Sequence, residues 1–379
     1  MMFAKNIKLF SLSGSALLLS GTCLGATFSD KPLKYTSKNN MGEKVELTIP
    51  FISTEDRQVA DRINNFLHIQ LLNTLPPAKE DTAAKMALIE LELPLESMEP
   101  ASSDLLNGKR HYAIVVSTEG CGAYCSLNEI RFDFDARTGR VITPVELLNE
   151  PGKKALAILA QKTNARRLRT EIARLEKLRN KGTKERDKET VADQIELYER
   201  CLEERYTKTG LHYDFYLKYP GQISILDGAL SFDSGTCSAH VNRAIDDLGN
   251  LVMTLKAPQL TAYLSSYGKY ILLGEGDGAI ADINPYAQVF RSKINGNTPI
   301  TLMLTDSVEG AYYSSSRYFY DKHRQSIPLK AARKKDVTEL TEFDGKGKPS
   351  ATISYRREGN KLLGQWRGAG KTLAFEASP

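Results

Sequence analysis

The sequence predicts an α+β protein: a mixed α/β-layer domain carrying a charged helical-hairpin insertion, followed by a small all-β meander or barrel. Three observations in the 379-residue chain predict it. Residues 44–148 read as strands interrupted by one amphipathic helical stretch. Residues 152–206 switch to a Lys-, Arg- and Glu-rich stretch of helical period without proline. The last hundred residues repeat short strand patterns divided by glycine turns.

Taken in order, residues 1–26 have the layout of a secretory signal peptide: Lys5 and Lys8, an apolar run from Leu9 to Leu24, and a small-residue cleavage site at Leu24-Gly25-Ala26. Ser and Gly break the run, which falls short of the roughly 20 apolar residues of a bilayer span. The rival readings are an uncleaved anchor and lipidation at Cys23, where Thr22 and the placement of Leu19 fit a lipid-attachment site poorly. The remaining chain is therefore expected to be periplasmic or secreted after cleavage near Ala26, with no transmembrane span. Loss of Lys5 and Lys8 lowers the net charge of +5 by two, too slight an excess to imply a polyanionic partner. Nucleic acid is not expected as a partner outside the cytoplasm.

Residues 27–43 read as a polar lead-in to an α+β domain at 44–266. Lys44 to Ile52 alternates as a strand; Ser53-Thr54-Glu55-Asp56 starts a helix with Val59, Ile63, Phe66 and Leu67 on one face. Strand patterns follow at Ala87–Leu93, His111–Ser117 and Glu129–Phe134, then a turn at 135–140. In the insertion, 152–206, one stripe carries Leu168, Ile172, Leu175 and Leu178; another carries Val191, Ile195, Tyr198 and Leu202. Asn180 to Thr183 supplies the turn of an antiparallel hairpin. Strands return at 215–217, 223–225, 229–232 and 251–255, closed by a short helix at Pro258–Tyr263. Residues 267–283, with Gly274 to Gly278 at their centre, read as a linker. The separate β unit, 284–379, has strand candidates at 300–304, 310–313, 326–329, 337–343, 351–355, 362–366 and 373–376.

Several of these patterns, in this order, resemble the extracytoplasmic domain family of lysozyme-sensing anti-sigma factors, which also accompanies peptidoglycan deacetylases. They are Thr48-Ile49-Pro50, Ile63-Asn64-Asn65, Gly122-Ala123, Phe132-Asp133-Phe134-Asp135, Thr138-Gly139, Glu146-Leu147-Leu148, the stretch Phe215 to Phe232, and Gly249 before the last strand. The resemblance covers a little over half of the chain. It implies an α+β fold without enzymatic activity of its own. Two departures lie where a partner would bind: Tyr124 stands where the family often has His, flanked by two cysteines, and the hairpin is much longer. Partner identity therefore does not carry over. The C-terminal unit is similar to small β modules of other exported bacterial proteins, through Gly310-Ala311-Tyr312-Tyr313 and Leu363-Gly364-Gln365-Trp366.

Four cysteines follow the leader: Cys121, Cys125, Cys201 and Cys237. In an oxidising compartment they read as disulfides, Cys121 with Cys125 and Cys201 with Cys237, the second contributing about 3 kcal/mol by chain entropy. A four-thiolate zinc site is the rival, and the CxxxC spacing with two distant cysteines suits it poorly. The five histidines, His68, His111, His212, His240 and His323, form no metal-binding spacing. Neither a metal nor a cofactor is expected. Glu275, Asp277 and Asp282 miss the spacing of a calcium loop. Ser238 near His240 is a chance pairing; Gly370-Lys371-Thr372 imitates a phosphate loop but sits between strands. Asp133 and Asp135 share a strand face and could work as acid and base, though ordinary solvent exposure and turn bonding explain them better. A ligand face of Tyr124, Tyr312, Tyr313, Tyr318, Tyr320 and Arg317 is the sharpest binding candidate, against core packing of alternate aromatics.

The sequence thus points to an exported, non-catalytic binding protein of the cell envelope. Its ligand would be a lysozyme-like hydrolase, another envelope protein or cell-wall (peptidoglycan) glycan. The alternatives are a cell-wall-acting hydrolase with an unrecognised site and an envelope assembly factor acting through the hairpin.

Overall fold

The computed structural model describes residues 27–38, 42–77, 97–121, 125–181, 185–206, 222–278, 288–304, 316–334 and 336–379. The expected leader, the strand expected at 87–93, and Tyr124, His212, Asp282, Tyr312 and Tyr313 lie outside the described residues.

Strands β1 (Phe28–Lys38), β2 (Lys44–Thr54), β3 (Ser97–Leu106), β4 (His111–Cys121) and β5 (Cys125–Asp135) form one sheet in that order. β2 and β3 pair parallel, the other neighbours antiparallel. The lead-in expected at 27–43 is corrected here, because residues 28–38 are an edge strand in continuous register with β2. Leu33, Tyr35 and Ser37 point inward while Lys34 and Lys38 stay exposed, so the outward lysines of an edge strand masked its alternation.

Helix α1 (Arg57–Leu72) covers one face of this sheet. Asp56 caps it, its carboxylate accepting from the Gln58 and Val59 amides, while Ser53 and Thr54 finish β2. Ile63, Phe66 and Leu67 enter a core with Ile49, Ile114, Phe132 and Phe134, and the Phe66 ring meets those of Phe132 and Phe134 edge-on at 5.8 and 5.7 Å. Asn64 is buried and acts as an extra strand partner: its amide bonds both the N–H and the C=O of Ile52, at 2.7 and 2.8 Å.

The hairpin is built from α2 (Glu150–Asn180) and α3 (Glu185–Tyr206). Its seam buries Leu168, Leu175, Val191, Ile195 and Tyr198, with Ile172, Leu178 and Leu202 half-buried at the edges. The start of α2 packs elsewhere, with a three-stranded antiparallel sheet of β6 (Ile223–Leu226), β7 (Ala229–Asp233) and β8 (Val252–Lys256). Leu156 and Ala160 share that second core with Ile225, Phe232, Leu260 of the one-turn helix α4 (Ala257–Leu260), and Tyr267 and Ile271 of α5 (Ser266–Leu273). The linker expected at 267–283 is corrected accordingly: its first seven residues belong to α5 and line a core. Gly268 is what allows the close approach, since a Cβ there would lie 2.0 Å from the Leu147 carbonyl oxygen.

Eight strands, β9 (Gln288–Ile294), β10 (Thr298–Leu304), β11 (Arg317–Tyr320), β12 (Ser326–Lys334), β13 (Val337–Phe343), β14 (Pro349–Glu358), β15 (Lys361–Gly368) and β16 (Lys371–Ser378), close into an antiparallel barrel through the β16–β9 pair. Phe290, Ile300, Leu302, Tyr318, Ile353 and Phe375 help fill its core. The unit is not separate from the rest. Met303 and Phe319, both fully buried, belong to the first core beside α1. Among the described residues no helix is long and apolar enough to cross a membrane.

Candidate functional site

Alternation along β5 puts Phe132 and Phe134 against α1 and turns Arg131, Asp133 and Asp135 to the opposite face, toward the second sheet and α5. Asp133 and Asp135 are both buried, which corrects the expectation of solvent exposure. Their surroundings differ. Asp133 Oδ1 lies 2.7 Å from His111 Nε2 and accepts from Arg131 Nε at 2.9 Å. Asn107 fixes the histidine's tautomer. Its Oδ1 accepts from the Gly228 amide, so its Nδ2 is the group that donates to the Leu226 carbonyl and faces His111 Nδ1 at 3.2 Å. Nδ1 is then the acceptor, and Nε2–H donates to Asp133. Arg131 also reaches the Ile225 carbonyl at 2.7 Å, and the Asp227 carboxylate accepts from the Asn107 amide at 2.8 Å. This polar seam fastens the first sheet to the second. Beside it opens a cavity of about 510 Å³, lined by Val115, Glu129, Arg131, Asp133, Ser224, Asp233 and Asn250, among others.

Asp135 serves the turn that follows it and the packing of α5. Its carboxylate accepts from the Arg137 amide at 2.9 Å and from the Tyr267 hydroxyl at 3.1 Å. Arg140 stacks on the Tyr267 ring at 4.9 Å and sits 2.7 Å from Glu146. Burial opposes the charge of Arg140, but Glu146 and Tyr267 together outweigh it, so the guanidinium titrates above its ordinary range. Burial likewise pushes the Tyr267 hydroxyl well up, against the pull of Arg140. A second cavity, of about 380 Å³, lies between α1, the turn after β5 and the barrel, with Arg62, Arg137 and Gln288 on its walls. Arg62 donates to the Thr138 carbonyl and Arg137 to the carbonyls of Asp277 and Gly278. The two aspartates thus do not converge on one reacting position.

The expected ligand face is corrected for its described residues, Tyr318, Tyr320 and Arg317. On β11 the alternation sends Tyr318 into the barrel, where its hydroxyl donates to Glu342 at 2.6 Å and sits edge-on to Tyr320. Arg317 points the other way and is fully buried, bonded to Asn73 at the end of α1. Tyr318, Tyr320 and Arg317 therefore do not share an exposed surface. Arg324, next to them in sequence, instead bonds the carbonyls of Leu75 and Pro76. Sequence reading missed Arg131, Asn107, Arg140 and Glu146. The one available signal was Asn107-Gly108, a turn pair whose left-handed backbone (φ 50° and 63°) aims the Asn107 side chain back at the sheet.

Cys201 and Cys237 are joined in a disulfide with Cα atoms 5.5 Å apart. It fastens α3 to the loop before β8, helped by Tyr198 to Asp246 and by Gln194 to the Ile245 carbonyl. Cys121 and Cys125 face one another in the β4–β5 register, and their side chains lie outside the described residues, as does that of His240. His68 is enclosed between Tyr35 and α1. Among the described residues no group of three or more His, Cys, Asp or Glu is placed to hold a metal ion. Ala369 and Gly370, both at positive φ, form the turn between β15 and β16 that imitated a phosphate loop.

No family model and no curated protein matches the chain. Among solved structures, a DUF3298 family member from Bacteroides fragilis NCTC 9343 superposes with a TM-score of 0.35 at 13% identity, covering 65% of this chain and 96% of that one. A DUF3298 family protein from Pseudomonas aeruginosa PAO1 gives 0.33 at 12% identity, covering 63% and 94%. Similarity at this level transfers neither activity nor partner.

Proposed function

We propose that the chain is an exported binding protein of the bacterial cell envelope, which holds its partner without turning it over. One observation carries this reading. His111 Nδ1 accepts from Asn107 and its Nε2 donates to Asp133 Oδ1, which also accepts from Arg131; Asn107 and Arg131 in turn bond the second sheet, while a polar cavity stays open beside them. A general base needs a free lone pair within reach of substrate, and here the lone pair of His111 Nδ1 and those of Asp133 Oδ1 are taken up inside the fold. The cavity offers Arg131, Asn250 and carboxylates beside apolar Val115, a mixture suited to hydroxyl-rich glycan or to a polar protein loop. The Cys201–Cys237 disulfide and the leader-like start support an oxidising compartment.

The test is affinity capture with the oxidised chain as bait and envelope extract, sacculi and lysozyme as prey, the bound species identified by mass spectrometry. Saturable retention of sacculi, lysozyme or one envelope protein is expected and names the ligand class. A blank in all three arms refutes the reading. Turnover of cell-wall fragments that disappears in Asp133→Asn would put a hydrolase in its place.

A further inference from the structure

The two edges of the first sheet are built differently. β1, at one edge, carries Pro32 and the exposed Lys31, Lys34 and Lys38, residues that discourage another strand from pairing there. β5, at the other edge, has neither proline nor lysine, and its far half presents Leu127 at 73% exposure. Near the end of β5 the Asp133 carbonyl accepts from the Ile142 amide, and the Asp135 amide donates to the Arg140 carbonyl. Those bonds identify the backbone groups that face outward as those of alternate residues, hence also of Leu127, Glu129 and Arg131. Among the described residues no backbone group bonds these three on that side. Their side chains lie on the sheet face that looks toward the second sheet, and Glu129 and Arg131 line the cavity of about 510 Å³ there. Its described walls set Glu129, Asp133 and Asp233 against Arg131. Asp133 is answered by Arg131, Asp233 accepts from the neutral amides of Gly235 and Asn250, and Glu129 has no ion pair among the described residues.

We infer that an extended segment of a partner polypeptide adds to β5 as a further strand, antiparallel, continuing the line of residues 140–142 along the same edge. The inference rests on the reading of the chain as a binding protein and supplies its mode of binding. Exchange of both bonds at Leu127, Glu129 and Arg131 makes about six backbone bonds over about five partner residues. Alternate side chains of the segment then fall on the cavity face, where a basic residue meets Glu129 and an apolar one covers Leu127. A second copy of β5 does not supply this. Setting its Arg131 opposite Glu129 puts Leu127 opposite Asp133, whose edge Ile142 already holds.

The test uses the oxidised chain and a short blocked peptide, fluorescein-labelled, with serine, lysine and leucine as its first, third and fifth residues and valine between them. Saturable anisotropy is expected, with slowed hydrogen exchange confined to β5. N-methyl groups on the third and fifth residues remove backbone donors, keep the side chains, and should weaken binding by about tenfold or more. Glu129→Lys should prefer a peptide with glutamate in place of the lysine. Glu129→Pro removes an outward amide that β4 does not use, so the variant should unfold at the wild-type temperature and lose the peptide. Absent binding, equal binding of the N-methylated peptide, or protection outside β5 overturns the inference. So does a glycan fragment that slows the same amides as strongly, or a chain that doubles its mass and protects them without peptide. Envelope capture that survives in Glu129→Pro also overturns strand addition while the binding role stands. A blank capture by a chain that binds the peptide supports strand addition and removes the proposed envelope partners instead.

Discussion

His68 makes the stability of this fold sensitive to mild acid, and replacing it should remove much of that sensitivity. The ring is fully buried against Tyr35, whose hydroxyl lies 2.7 Å from Nε2, while Nδ1 lies 2.8 Å from the Asn64 carbonyl one helical turn back. The carbonyl can only accept, so Nδ1 carries the proton and Nε2 accepts from Tyr35. The imidazole is thus neutral with both nitrogens used. Burial drives its pKa from 6.5 down to about 3; the Asn64 carbonyl opposes this and the nearby Arg324 adds to it. A histidine held neutral in the fold binds a proton first in the unfolded chain. The stability it contributes is complete above the unfolded value of 6.5 and drains away as pH falls toward the folded value of about 3. Between pH 7 and pH 5 that loss amounts to about 2 kcal/mol, since one pKa unit is worth about 1.4 kcal/mol. His68→Gln keeps an amide donor and acceptor near the same positions and loses the acid-labile ring. The variant should be the less stable at pH 7, and its deficit should shrink by about 2 kcal/mol at pH 5. Urea unfolding of both chains at the two pH values measures the gap directly. A deficit that stays constant across the two would show that His68 titrates normally and would refute the argument.

Three further outcomes follow from the same contacts. Asp133→Asn leaves His111 and Arg131 without their shared carboxylate and should cost about 2–4 kcal/mol in urea unfolding. A stability within error of wild type would show that the Asp133 carboxylate does not hold His111 and Arg131 in place. Reduction, or Cys201→Ser with Cys237→Ser, opens a loop with a sequence separation of 36 and should cost about 3–4 kcal/mol, visible in calorimetry as a Tm lower than that of the oxidised wild-type chain. Gly268→Ala pushes a methyl into the Leu147 carbonyl and should release α5 from the second core, read as earlier protease cleavage within 266–273.

The amino-acid sequence alone determined the parts of this fold whose periodicity is undiluted. The stripes Leu168–Leu178 and Val191–Leu202 are separated by a polar break, and the hairpin follows from them because helical spacing admits one arrangement of the two seams. The turn-punctuated strands of the last hundred residues lead just as directly to a β meander. Elements whose burial depends on a distant neighbour were another matter. β1 looks polar because its edge position leaves lysines outside, and α5 looks like linker because eight residues with a glycine carry too little period to be seen. The barrel's own strands hid a second role, since Met303 and Phe319 face out of it and into the core beside α1. The site followed the same rule. That Asp133 and Asp135 share a face was legible from a period of two, but what each faces depends on Asn107, His111, Arg140, Glu146 and Tyr267, brought in from other elements. Arg317 and Tyr318 point to opposite sides of one strand, and only the closed barrel decides that one side is its interior and the other the end of α1. Local period sets which residues lie together on a face; the packing of distant segments decides whether that face meets water, a core or a partner.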